Sequence, residues 1–109
     1  MSGTIAVTPD ARWSAASWLF DWTVDFLSKV TGDAAATDHL REIIDDNIGW
    51  LGLDDLPSDV RAKLLERIKA ELVDTADRTL PPTLTNRDAV LDLLRELVRL
   101  AERASRLTP

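Results

Sequence analysis

His39 is the only histidine in a chain of 109 residues that contains no cysteine. One imidazole without a thiolate cannot assemble a zinc or iron–sulfur set, a Cys–His pair or a Ser–His–Asp relay. With Asp38 and Glu42 beside it, His39 reads as a solvated residue on a polar helix face. The densest carboxylate group is Asp45, Asp46, Asp54, Asp55 and Asp59. Its spacing departs from the calcium-loop pattern, because Gly49 falls in the wrong register. Helix capping and solvation account for these carboxylates. A carboxylate pair for acid–base work would need a cleft, and short helices leave little room for one. Gly49-Trp50-Leu51-Gly52 lacks the Lys and the hydroxyl of a phosphate loop. No nucleophile–base pair, metal set or cofactor fingerprint is present, so the expectation is a non-enzymatic protein without cofactor or metal.

Charge points the same way. The net charge is −6, and it is uneven: the first 60 residues carry 11 Asp and Glu against 3 Lys and Arg, the rest 8 against 10. Such a surface repels phosphate backbones and anionic lipid, so neither nucleic acid nor membrane is an expected partner. A basic protein would be attracted to the N-terminal half. Arg95, Arg99, Arg103 and Arg106 recur at helical spacing, but Asp92, Glu96 and Glu102 interleave with them, which describes an ion-paired solvated face.

Apolar residues make up 45% of the chain and charged residues 29%, an ordinary globular balance. No apolar run reaches the roughly 18–20 residues needed to cross a bilayer. The N-terminal stretch lacks the basic region of a secretory signal, and no Cys is available for lipidation. A soluble cytoplasmic protein is expected.

Periodicity predicts an all-α fold, a compact antiparallel four-helix bundle with helices near 9–31, 34–48, 58–77 and 86–106. Residues 1–8 are expected as an extended N-terminal arm, and 9–109 as a single helical domain. Thr8 and Pro9 suit the start of the first helix, and Lys29 and Gly32 its end. Asp33 or Thr37 can cap the second, Ser58 the third, and Thr85 with Asp88 the fourth. Between the second and third helices, the apolar stretch 49–57 is expected as an ordered loop with Trp50 plugging one end of the bundle.

The first of these helices is unusual. Five of the six aromatic rings, Trp13, Trp18, Phe20, Trp22 and Phe26, fall within 12–29. At about 100° per residue, Trp13, Ala16, Phe20, Val24 and Leu27 form one stripe, and Trp18, Trp22 and Phe26 a second on nearly the opposite side. One neighbour cannot cover both. The first stripe is expected in the core. The second, with Asp21 and Asp25 alongside, is the candidate interface.

Leu51-Gly52-Leu53-Asp54-Asp55-Leu56 resembles the Gly-x-Asp-Ser-Leu segment that opens the second helix of acyl carrier proteins. In that resemblance the pantetheine-bearing Ser falls at Asp55, which has no hydroxyl to accept a prosthetic group.

Taken together, the residues describe an acidic helical interaction module that docks a partner protein through an aromatic-rich face, in the manner of an inhibitor, immunity or adaptor protein. A homodimer or other structural homo-oligomer that buries the wide apolar faces is the alternative, as is a bundle holding an apolar small ligand.

Overall fold

In the computed structural model, which describes residues 2–107, the chain is an α+β protein. Four helices pack with a three-stranded mixed sheet, which overturns the all-α helical bundle. The correction lies in the first sixteen residues. Strand β1 (Ser2–Thr8) and strand β2 (Ala11–Ala16) form an antiparallel hairpin joined through Pro9 and Asp10. Pro9 presets φ for the turn, a backbone angle equally suited to the first turn of a helix. The residues after it alternate in burial, as a half-buried strand requires: Trp13 and Ala15 are buried, whereas Arg12, Ser14 and Ala16 are exposed.

The segment expected as an arm is therefore the central strand. On its other side β1 pairs in parallel with strand β3 (Trp50–Gly52), Ile5 opposite Leu51, giving the order β2-β1-β3. Ile5, Val7 and Leu51 enter the core from this sheet. Trp50 consequently points the other way: strand alternation buries Leu51 and leaves Trp50 40% exposed, so it does not plug the interior. A 3-10 turn (Leu53–Asp55) follows β3, in place of the helix opening that the carrier-protein resemblance implied.

Helix α1 (Ser17–Val30) begins where β2 ends, eight residues later than expected. Its far end is as expected, with Lys29 in the last turn and Gly32 at positive φ. Helix α2 (Ala34–Asp45) is capped by Asp33, whose carboxylate accepts the Ala36 N–H at 2.8 Å. It stops three residues short of 48 because Asn47 adopts φ 52°. The Ile48 and Asn47 N–H groups then bond back to Ile43 and Ile44, closing the helix in a Schellman turn. Helix α3 (Ser58–Thr79) and helix α4 (Arg87–Leu107) form a helical hairpin whose buried stripes follow helical spacing, Val60, Leu64, Ile68 and Leu72 on the one and Val90, Leu94, Leu97 and Ala101 on the other. Arg87 ties their junction, donating to the Asp77 carbonyl at 2.6 Å and carboxylate at 3.0 Å. Met1, Thr108 and Pro109, the outer limits of the two expected segments, lie outside the described residues.

α1 and α4 pack on the inner face of the sheet. Gly3 permits the close approach of α1, since a Cβ there would stand 2.2 Å from the Phe20 ring. β2 is fastened to α4 by the Trp13 indole, which donates to the Leu93 carbonyl at 2.8 Å.

Candidate functional site

The five residues of the expected interface divide between two places. Phe26 is buried at 6% exposure, and Trp22, half-buried, stacks on it with centroids 6.3 Å apart. Both lie where α1 crosses α3, beside Thr75 and Thr79. Asp25 shares this location and holds Lys29 at 2.9 Å and also Arg41 of α2. Burial pushes its carboxyl up, but the hydrogen bonds and charges of Lys29 and Arg41 outweigh that and leave it below its ordinary value. Asp21 is half-buried on the same helix. Trp18 stands apart from this group. It is 45% exposed and meets Ala16, Ala89 and Leu93 where β2, α1 and α4 converge.

A strand edge missed in the sequence lies beside Trp18. The Thr4 N–H donates to the Gly49 carbonyl at 3.0 Å, so Thr4 turns its backbone polar groups toward β3. Gly3 and Ile5 then bond to β2 through Ala15 and Trp13, and Arg12 and Ser14 direct their N–H and C=O groups, and Ala16 its N–H, away from the sheet, the Ala16 carbonyl being taken by the first turn of α1. β2 is thus an edge strand, and all three outward residues are exposed. The period-two alternation of Arg12, Ser14 and Ala16 with Trp13 and Ala15 was the available signal, masked by the helical spacing of the aromatics.

α4 runs alongside β2 in the opposite direction and makes a cleft at each end of the seam. Ala16, Trp18, Ala89 and Leu93 line the first, of about 140 Å³. Thr8, Asp10, Ala11, Leu100 and Arg103 line the second, of about 260 Å³. Both are smaller than the ~300 Å³ at which a pocket encloses an ordinary small ligand.

On the outer face of the sheet, the Arg12 guanidinium lies 5.4 Å from the Trp50 ring centroid. It reaches there across Ala6, which pairs with both Arg12 and Gly52 and is buried beneath it. Thr4 and Ser14 share a hydroxyl–hydroxyl bond of 3.0 Å on that face. His39 is exposed on α2. Among the described residues, no group of three or more His, Cys, Asp or Glu gathers closely enough to hold a metal ion. None of their helices is long and apolar enough to cross a membrane.

The fold and this edge define an α+β protein in which the outer edge of β2, without a strand partner among the described residues, is flanked by an exposed tryptophan. Set against known proteins, the chain matches no family model, no curated protein and no solved structure.

Proposed function

We propose that this chain is a non-enzymatic protein-interaction module whose working surface is the outer edge of β2 with Trp18 as its anchor. The observation that carries the reading is the coincidence of three outward-facing backbone positions, Arg12, Ser14 and Ala16, with a 45% exposed indole two residues further on. An unpaired edge offers main-chain hydrogen bonds to any extended segment, and a neighbouring aromatic supplies buried area at small entropic cost. Phe26 is buried, so the docking surface shifts from the Trp22 and Phe26 end of α1 to its Trp18 end. The acidic balance disfavours phosphate-bearing partners, and the absence of Cys suits a reducing, cytoplasmic setting.

Selection of displayed random peptides tests this, with the full chain immobilised sparsely so that copies do not meet. Selected peptides are expected to protect the Arg12, Ser14 and Ala16 amides from hydrogen exchange and to bind Ser14→Pro and Trp18→Ala at least tenfold more weakly. Peptides that bind both variants equally and leave those amides exchanging, or a selection that yields none, overturn it.

A further inference from the structure

Any extended strand can pair with an open edge, but the two ends of the β2 seam differ in a way that suits one partner. We propose that the occupant of the β2 edge is a second copy of this chain, docked antiparallel about a twofold axis at Ser14. This rests on the β2 edge being the interaction surface.

Three features of the seam are complementary under that rotation. With Ser14 opposite Ser14 of the second copy, Arg12 faces Ala16 and Asp10 faces Trp18. The Ser14 N–H and C=O groups then pair across the axis and each Ala16 N–H meets an Arg12 carbonyl, and the small Ser14 side chains at the axis allow the strands to approach. Second, the exposed Trp18 of each copy arrives at the other's larger cleft, walled by Thr8, Ala11 and Leu100 with Arg103 at its side. An indole there gains apolar cover and a cation for its ring.

The third feature is electrostatic. α1 starts without a side-chain cap on Ala16 and with no acidic residue in its first turn. Its leading N–H groups carry the positive end of the helix dipole. Asp10 sits exposed in the β1–β2 turn, and the rotation brings it to that end of the second copy's α1. The match is charge against charge, and symmetry makes it twice. A foreign strand would have to bring its own anchor and its own carboxylate at this spacing; the chain already carries both. The joined sheet would run β3-β1-β2-β2-β1-β3, ending on the three-residue β3 at each side.

Sedimentation equilibrium of the full chain, from submicromolar to tens of micromolar, tests the proposal. The wild type is expected at twice the chain mass at the upper end. Trp18→Ala, Ser14→Pro and Asp10→Lys are each expected to weaken association at least tenfold with unchanged far-ultraviolet circular dichroism. Asp10→Lys lies in an exposed turn, so it remains informative if the strand variant fails to fold. Ser14→Cys supplies the chain's sole thiol, and a short bis-maleimide, adding one thiol across each of its double bonds, should join two copies through it, whereas Asp38→Cys on the exposed face of α2 should not cross-link. A strict monomer over the whole range overturns self-pairing, as does a dimer indifferent to Trp18→Ala and Asp10→Lys. In either case peptide selection on the sparse chain still decides separately whether the edge is an interaction surface.

Discussion

Trp13 and Trp18 lie five residues apart and have opposite surroundings. Trp13 is 2% exposed and spends its N–H on the Leu93 carbonyl, while Trp18 keeps much of its ring in solvent. The burial of Trp13, Phe20, Val24 and Leu27 was legible from sequence, but Trp13 is buried as an inward residue of β2, and Ala16, expected in the same helical stripe, is exposed. Phe26 was harder to place, because a stripe on the far side of a helix can meet either solvent or a second neighbour, and here α3 supplied the neighbour. Asp25 gives a prediction at this scale. Its folded pKa lies below the unfolded value, so its contribution is present above the unfolded pKa and is lost as pH falls through the folded one. Asp25→Asn should cost about 0.5 kcal/mol near neutral pH, the scale of a partly exposed ion pair. Urea titrations of both proteins should show that difference shrinking as the pH drops through the acidic range where the carboxyl protonates.

For the elements, the decisive ambiguity was 9–16. Pro9 followed by Asp10 serves a helix start and a hairpin turn alike, and Trp13, Ala16 and Phe20 fit a helical stripe as well as Trp13 and Ala15 fit a strand face. Tertiary pairing with β1 settles it, since six residues of edge strand gain ladder bonds that an isolated helical turn would have to match alone. The end of α2 shows the reverse case, a local rule that holds. Asn47 takes the left-handed conformation at φ 52°, which costs other L residues roughly 1 kcal/mol. Asn47→Ala should lower the unfolding free energy by about that amount, read as a lower urea midpoint at constant slope, and Asn47→Gly should leave the midpoint unchanged or raise it. Equal midpoints for the two variants would mean that the backbone angle at Asn47 carries no such cost.

Across the whole molecule, stability depends on the N-terminus far more than an arm would allow. With a Cα radius of gyration of 13.0 Å, the chain packs as one compact domain, and β1 runs through its centre. Thr4, Ile5 and Ala6 meet residues 50–52, so the strand closes a long loop through α1 and α2. Arg61 of α3 locks the end of β1, reaching the Val7 carbonyl at 3.3 Å and Asp54 at 3.1 Å. Val7 sits where the β1–β2 register shifts, and there a side chain takes the place of a strand partner. Removing Ser2–Thr8 while retaining an initiating Met should therefore abolish the cooperative unfolding transition and the near-ultraviolet tryptophan signal. A calorimetric midpoint within a few degrees of the intact chain would show the strand to be dispensable.

Three helices, the cap at Asp33, the stripes of α3 and α4 and the buried ring of Phe20 are written locally, in 3.6-residue periodicity and capping chemistry that need only neighbouring residues. The sheet is not written that way. A parallel pair between residues 4–6 and 50–52 leaves no local trace, because its bonds join backbone groups common to every residue and its apolar run is too short to be told from a loop. Only the folded chain decides that Trp50 turns outward, that β2 is an edge, and that Trp18 stands beside its unpaired N–H groups. Those are the features on which the proposed docking rests, and they arise from long-range pairing that sequence periodicity does not encode.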